Sequence, residues 1–271
     1  MDVLPIRLLV SDIDGTLVRH DKGLPEANVT AIRGAAARGL KVSLISARPP
    51  AGILPIAKEL GLDGPFGAFN GGTIFAADGS VDRSAQLPIN LVRELAELYA
   101  AMRVGIWLTA GNRWLTSDPD NPHTAREVLS SGLQPETVTD FSPFFGACDK
   151  IVAVCDDPDR MDEVEVRARR VVGRAATLVR SQDYYLDCTA LAANKGDGVA
   201  ALAEFFGVPL DQVAVIGDQA NDVAMFRRAG LSIAMGQASA AVQAEADCVT
   251  TSNEHAGVAA AIERFIIPRI A

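Results

Sequence analysis

The sequence has few cysteines and histidines, and none is arranged as a zinc-binding motif. These residues are Cys148, Cys155, Cys188, Cys248, His20, His123 and His255. No two cysteines show the C-x-x-C spacing and the histidines are far apart, whereas a structural zinc site needs closely spaced Cys or His ligands. We therefore expect reduced, buried thiols and no zinc.

The chain also lacks an excess of positive charge and any long apolar segment. Its formal net charge is -9, whereas nucleic acid or an anionic membrane as the main partner requires a basic surface. No run approaches the ~20 apolar residues of a membrane span, and the opening MDVLPIRLLVSD has no basic stretch before a signal-type apolar segment. The expectation is a soluble, cytoplasmic protein with no nucleic acid or membrane partner. A bound metal ion would still let it bind a small anion.

The overall composition is typical of a globular protein. Hydrophobic residues make up 49% and charged residues 22% of the 271 residues, which suffices for one large domain or two modest ones. Strand-like segments at 8–10, 40–46 and 65–75 alternate with helix-like segments at 25–39 and 51–61. This β-α-β-α-β order predicts a parallel sheet with crossover helices.

The pattern changes in the middle of the chain and then returns. Between 89 and 188, hairpin-forming strands and amphipathic helices dominate, and from 195 to 266 helices alternate with short apolar strands again. We predict an α/β fold with a Rossmann-like parallel-sheet core, formed by residues 1–85 and 186–271. A second α/β domain is inserted at 86–185.

Polar residues stand where the predicted strands end. In RLLVSDIDGTLV, Asp12 and Asp14 follow the first strand; Ser46 follows the second, and VAVIGD ends at Asp218. Lys195 opens the helix after the insertion. Ligands of open parallel sheets bind outside the carboxyl ends of the strands, so these residues share one predicted location.

Each of these residues alone has an ordinary structural explanation, since Asp and Ser after a strand usually form turns or cap helices. Their occurrence together favours a site for phosphoryl transfer. Mg²⁺ prefers hard carboxylate oxygens, and a phosphate needs N–H groups, a hydroxyl and a cation around it. Asp12, Asp14 and Asp218 match the first requirement. Ser46 and Lys195 match the second.

Five short motifs resemble those of the haloacid dehalogenase superfamily of phosphatases. They are DIDGT at 12–16, SAR at 46–48, NGG at 70–72, NKG at 194–196 and GDQAND at 217–222. The run AMGQASAAVQAEADCVTTSNEHAGVAAAIERF resembles the C-terminal part of the Cof-type branch. The resemblance extends from Leu8 to Phe265, and the pairing of D-x-D-G-T with G-D-x-x-N-D in this order is highly specific.

The resemblance implies a fold and a reaction. The insertion would be the C2-type α/β cap of this branch, which covers the site and shapes the substrate pocket. Asp12 would be the nucleophile that forms an aspartyl-phosphate, and Asp14 the general acid and then the base for water. Ser46 and Lys195 would bind the phosphoryl group together with the N–H groups of the turn at Gly15, where glycine permits a sharp bend.

The same resemblance implies a Mg²⁺ site. The Asp12 carboxylate, the Asp14 backbone carbonyl and Asp218 would hold the ion, and Asp222 would support them from behind. Asn221 would support the same residues and contribute to phosphate binding. The expected activity is Mg²⁺-dependent hydrolysis of small phosphomonoesters, sugar phosphates or related metabolites, by a monomer or a homodimer.

Four positions depart from the family pattern. The usual Thr-Gly-Arg is Ser46-Ala47-Arg48 here, which keeps the hydroxyl but replaces a flexible glycine. Gln237 replaces the Asn of AMGNA, and Gln243 stands where the family often has Lys. Neither glutamine belongs to the core chemistry, but Gln237 is expected to alter contacts near the phosphate.

Two other functions would use the same residues. A phosphomutase would have the same nucleophile and acid but would retain a phosphorylated intermediate, and a non-catalytic regulator would bind sugar phosphates without turnover. The motifs do not specify the substrate. Several side chains of the insertion are candidates for a pocket, although aromatic residues in strands usually lie in a core. They are Trp107, Arg113, Trp114, His123 and Tyr184.

Overall fold

The structure, a computed structural model, describes residues 4–270 and divides into two compact units. The first unit comprises the described residues up to Ala47, Ile53–Arg83 and the described residues from Asn194 onward; the second comprises Arg48–Gly52 and Ser84–Ala193. The sequence-based limit between residues 185 and 186 differs from this division, because that point lies in a strand that pairs within the second unit.

The order of the elements changes twice along the chain. Up to residue 84 they are β1 (Leu8–Ser11), α1 (Glu26–Ala36), β2 (Lys41–Leu44), α2 (Pro50–Leu60), β3 (Phe66–Ala68), β4 (Thr73–Phe75) and β5 (Val81–Ser84). Up to residue 190 they are α3 (Ile89–Ala101), β6 (Gly105–Ala110), β7 (Arg113–Thr116), α4 (Thr124–Ser131), β8 (Pro135–Thr137), β9 (Lys150–Val154), α5 (Pro158–Val172), β10 (Ala176–Gln182) and β11 (Tyr185–Ala190). From residue 195 they are α6 (Lys195–Phe206), β12 (Val213–Gly217), α7 (Val223–Phe226), β13 (Leu231–Ala234), α8 (Ala240–Gln243), β14 (Cys248–Val249) and α9 (Gly257–Ala261).

A parallel sheet forms the centre of the first unit, in the strand order β14-β13-β12-β1-β2. Strand β1, which lies between β12 and β2, is buried on both faces, because Leu9 packs into one apolar cluster while Leu8 and Val10 pack into another. Burial on both faces explains why β1 is continuously apolar. Parallel pairing places the carboxyl ends of β1, β2 and β12 at the same edge of the sheet.

The sheet of the second unit has the order β10-β11-β9-β6-β7-β8. Its pairs are antiparallel except for the parallel pair β7–β8. Residues of α3 and α5, such as Leu95 and Val164, share one apolar cluster with the sheet, whereas Trp107, Trp114 and Tyr185 form a separate cluster. The predicted fold class, an α/β protein with a parallel-sheet core and an inserted α/β domain, is confirmed.

The helices near the C-terminus are shorter than the sequence patterns indicate. The motif NDVAMFRRAG at 221–230, one of the helix-like segments between 195 and 266, contains the end of a 3-10 turn, Ala220–Asp222, followed by the single turn of α7. The side chain of Asp222 bends back onto the N–H groups of Asp218 and Gln219, which tightens the chain at this point. Within residues 4–270, no helix has the length and apolar character needed to cross a bilayer.

A buried asparagine in α1 joins three segments of the first unit. The Asn28 amide donates to the carbonyl of Leu17 at 2.9 Å and accepts from the N–H of Ala259, in α9, at 2.9 Å. Leu17 lies just after the Asp12–Asp14 segment, so this side chain fixes the loop after β1 against the C-terminal helix. A buried polar group that loses its partner costs more free energy than an average hydrogen bond contributes.

We expect Asn28→Leu, which roughly conserves side-chain size, to lower the free energy of unfolding by ~2–4 kcal/mol, because two buried backbone groups lose their partners. Urea unfolding followed by circular dichroism measures the change. Exposed Asn90 in α3 provides the matched control, since Asn90→Leu should change stability by less than ~0.5 kcal/mol. Small and equal effects of the two substitutions would contradict the bridging role.

Candidate active site

The two aspartates after β1 lie in different environments. Asp12 is buried, and its N–H donates to the carbonyl of Ile216 in β12 at 3.0 Å. The chain then turns back, because the N–H groups of Leu17 and Val18 donate to the carbonyl of Ile13. Asp14 is more exposed and forms an ion pair with Lys22 at 2.6 Å. The D-x-D spacing therefore gives one buried carboxylate and one that solvent and a substrate can reach.

A second pair of carboxylates stands at the end of β12. Asp222 is fully buried, and its Oδ2 accepts the N–H groups of Asp218 and Gln219, each at 2.8 Å. Asp218 accepts from the hydroxyl of Thr16 at 2.9 Å and from the Gln219 amide at 3.0 Å. These bonds fix both carboxylates, and they connect the ends of β1 and β12.

A single ammonium group lies between the two strand ends. Lys195 is the first residue of α6, and only 2% of its surface is exposed. Its Nζ lies 2.6 Å from Asp12 Oδ1 and 2.5 Å from Asp222 Oδ1. The preceding Asn194 caps the helix by accepting the N–H of Asp197 at 2.9 Å. The cap thus sets where α6 begins and directs Lys195 to the carboxylates.

The carboxylates of Asp12, Asp218 and Asp222 form a cluster in which one oxygen from each residue lies within 4.8 Å of the other two. Such hard oxygen donors fit a divalent cation of the Mg²⁺ type. Asp222 already accepts two backbone N–H groups and the Lys195 ammonium. Asp12 and Asp218 are therefore the carboxylates suited to hold an ion directly, with Asp222 behind them.

Burial dominates the electrostatics of this cluster. It raises the pKa of Asp12 to about 8; Lys195 opposes this shift, whereas Asp222 and Asp218 add to it. Burial also raises the pKa of Asp218. For Lys195 burial acts to lower the pKa, but the charges of Asp12 and Asp222 outweigh it and raise the pKa. Burial thus opposes ionisation of Asp12 and Asp218. With all three carboxylates ionised, the cluster would carry more negative charge than the Lys195 ammonium compensates, and a bound divalent cation would offset this excess.

Ser46 and Asn221 come from two further loops of the first unit. Buried Ser46 follows β2; its N–H donates to Gly67 at 2.9 Å, and its carbonyl accepts the N–H of Asn70 at 2.7 Å. The Asn221 amide donates to the Asn70 side chain at 3.1 Å. Asn70 thus contacts both of these sequence-predicted site residues.

Gly15 makes room for Asp218. Its φ of +79° lies in the left-handed region, and a Cβ at this position would lie 2.4 Å from Asp218 Oδ2. Its carbonyl accepts from the Gln237 amide at 2.5 Å, and the same side chain accepts the N–H of Asn253 at 3.1 Å. Gln237, one of the departures from the family pattern, therefore fixes the turn after Asp14.

Sequence reasoning gave no role to several residues of this site. Thr16, Asn70 and Gln219 lie inside the DIDGT, NGG and GDQAND motifs, so their positions carried a signal. Lys22 carried less, because an exposed lysine is common in any sequence. The contacts of Lys22 with Asp14 and of Asn70 with Asn221 depend on how distant loops meet.

The candidate pocket residues of the second unit are partly core. Trp107 and Trp114 are buried and pack edge to face, with ring centroids 4.9 Å apart. They also line a cleft together with Lys150 and Asp187. Exposed Arg113 pairs with Glu136. The remaining two candidates, His123 and Tyr184, stack on each other at 3.7 Å.

The parallel sheet and the buried cluster at its edge define an α/β enzyme fold, and comparison with known proteins gives the family. The model of the haloacid dehalogenase-like hydrolases matches residues 9–262. The 5-amino-6-(5-phospho-D-ribitylamino)uracil phosphatase YcsE of Bacillus subtilis is 27% identical over 263 residues, which cover 97% of this chain and 96% of that protein.

Solved structures agree with this result. A haloacid dehalogenase-like hydrolase from Bacteroides thetaiotaomicron superposes with a TM-score of 0.87 and 29% identity, covering 96% of this chain and 99% of that one. The HAD subclass IIB sugar phosphatase BT4131 shares the fold, with a TM-score of 0.81 and 24% identity over 96% of this chain and 98% of that one. The chain belongs to the haloacid dehalogenase-like hydrolases. The family match confirms the predicted superfamily. It also agrees with the predicted enzyme class, a haloacid dehalogenase-type phosphatase.

If the cluster holds a divalent cation such as Mg²⁺, Gly15→Ala should weaken its binding by ~10–100-fold, because the new methyl group displaces the Asp218 carboxylate. Isothermal titration calorimetry of the folded variant measures the affinity. Gly79→Ala is the matched control: Gly79 has a similar φ of +85° but no atom within 4 Å of a Cβ, so it reports backbone strain alone. If both variants bind Mg²⁺ as the wild type does, the contact with Asp218 is unimportant for the ion.

Proposed function

We propose that this hydrolase is a Mg²⁺-dependent phosphatase that hydrolyses small phosphomonoesters, sugar phosphates or related metabolites, through an aspartyl-phosphate on Asp12. The observation that carries the proposal is the buried cluster of Asp12, Asp218, Asp222 and Lys195 at the carboxyl ends of β1 and β12. The names of the related phosphatases support the same class of reaction.

Asp12 has the position required of a nucleophile. One of its oxygens is held by Lys195 at 2.6 Å, which orients the carboxylate and leaves the other oxygen for attack on phosphorus. The attack forms an O–P bond to Asp12 and breaks the P–O bond to the leaving alcohol. The transferring phosphoryl oxygens have three proposed hydrogen-bond partners: the Ser46 hydroxyl, the N–H groups of the turn at Gly15 and the Asn221 amide.

Asp14 has the position required of a proton donor. It follows the proposed nucleophile by two residues, is partly exposed and forms an ion pair with Lys22 at 2.6 Å; a surface ion pair of this kind is weak in water. In the first step the leaving oxygen takes a proton from Asp14. In the second step water attacks the phosphorus and gives its proton back to Asp14, which releases phosphate and restores the Asp12 carboxylate.

The proposed Mg²⁺ ligands are the carboxylates of Asp12 and Asp218 and the backbone carbonyl of Asp14. Asp222 supports them through its hydrogen bonds to the backbone after β12. When bound, the ion would neutralise charge on the transferring phosphoryl group. The charge of the bound ion would also keep the carboxylates of Asp12 and Asp218 ionised despite their burial. In this scheme the first unit performs the chemistry, and the second unit is the cap that shapes the pocket for the leaving group.

Phosphate release from a panel of phosphorylated metabolites tests the proposal. We expect activity with Mg²⁺ and none with excess chelator, because the clustered carboxylates need a cation to accept a phosphate dianion. Ca²⁺ should inhibit, since its looser coordination misplaces the nucleophile. Full activity in chelator would refute the metal requirement, and stimulation by a bisphosphate would identify a mutase instead.

Asp14→Asn should reduce turnover of an alkyl phosphate by ~10²–10⁴-fold, because an alkoxide needs a proton to leave. A nitrophenolate leaves without one, so rapid mixing with a nitrophenyl ester should still show a burst, followed by accumulation of phosphorylated protein. Asp12→Asn is the control and should give neither burst nor phosphoprotein. Equally weak bursts with both ester types would remove Asp14 from the acid role.

A further inference from the structure

The turn after β3 has an unusual backbone. Three consecutive residues, Phe69, Asn70 and Gly71, have φ values of +49°, +59° and +86°. A left-handed conformation costs a residue with a Cβ ~1–2 kcal/mol, so the first two positions are strained. Strain of this kind persists only where surrounding contacts hold it, and it concentrates at functional sites. The NGG motif of the sequence begins at Asn70 and has no role in the proposed reaction.

The backbone of this turn is fastened to two site-bearing segments. The Asn70 N–H donates to the carbonyl of Ser46 at 2.7 Å. Gly71 approaches α6 so closely that a Cβ there would lie 2.5 Å from the Cα of Gly198. Since Gly198 is one turn after Lys195, the turn lies against the helix that carries the buried ammonium.

The side chain of Asn70 reaches a third segment. Its Oδ1 accepts the amide of Asn221 at 3.1 Å, and Asn221 precedes the buried Asp222 in the turn after β12. Asn70 therefore connects residues that come from the ends of β2 and β12. Asparagine tolerates the left-handed region better than most residues, which explains why asparagine suits the positive φ at position 70. This tolerance does not explain the hydrogen bond between Asn70 and Asn221.

We infer that Asn70 is a positioning residue, which holds the Asn221 amide and the Ser46 segment where both meet the phosphoryl group of the substrate. The inference rests on the proposed function. Asn70 itself forms and breaks no bond. Because a phosphoryl group is held in the ground state and in the transition state alike, loss of Asn70 should raise KM and change kcat little.

Asn70→Gly separates the side chain from the backbone, since glycine adopts the left-handed region without strain. We expect KM for a phosphomonoester and the Kd of inorganic phosphate in Mg²⁺ to rise ~3–10-fold, the effect of one lost hydrogen bond, while kcat changes less than ~2-fold. Ala256→Gly is the matched control, because Ala256 also has a positive φ, +52°. Its KM should equal that of the wild type.

A double-mutant cycle with Asn221→Ala tests whether Asn70 acts through Asn221. In the Asn221→Ala background, Asn70→Gly should add almost nothing to KM, because the two residues act as one unit. Fully additive effects, or an Asn70→Gly variant with wild-type KM and phosphate affinity, would overturn the inference while leaving the phosphatase proposal intact. A wild type that neither hydrolyses phosphomonoesters nor binds phosphate would overturn both.

Discussion

The contact of one buried ammonium with two buried carboxylates is the interaction on which the site depends. Lys195 approaches Asp12 and Asp222 to 2.6 and 2.5 Å, and its side chain is only 2% exposed. Burial of charges is unfavourable unless each is paired and hydrogen-bonded, so these three residues stabilise the fold only together. The strand ends of β1 and β12 and the first turn of α6 must therefore meet at one point, and the cap at Asn194 ensures that the helix begins there.

Glycine backbone makes this close approach possible. A Cβ at Gly15 would collide with the Asp218 carboxylate, and one at Gly217 would lie 2.4 Å from Cγ of Asp222. Gly15 faces a carboxylate from the turn after β12, and Gly217 faces one five residues further along its own segment, so the tight packing of the cluster requires that both positions lack a side chain. These are steric requirements, and they explain why the glycines accompany the aspartates in the two motifs.

The C-terminal part of the first unit holds the loop that follows β1. Gln237 binds the carbonyl of Gly15, Asn253 binds that of Val18 at 3.0 Å, and Glu254 accepts the N–H of His20 at 2.8 Å. Asn28 holds Leu17 from α1. The loop between the two aspartates and α1 is thus fixed by nearby Asn28 and by three polar side chains more than two hundred residues away in the chain.

The sequence by itself determined the α/β class, the parallel order of the core and the residues at its strand ends, because continuous apolar runs and the turns after them depend on local chemistry. It placed Asp12, Asp218 and Lys195 at one edge for the same reason, since parallel strands end together. Only the tertiary structure decided that Lys22 pairs with Asp14, that Thr16 binds Asp218, and that Asn70 joins Ser46 to Asn221. The tertiary structure also showed that the second unit includes all of β11 and extends to Ala193, whereas the sequence had suggested that it ends at residue 185. Contacts between single polar side chains in distant loops leave no periodic pattern in the sequence, so they appear only when the chain is folded.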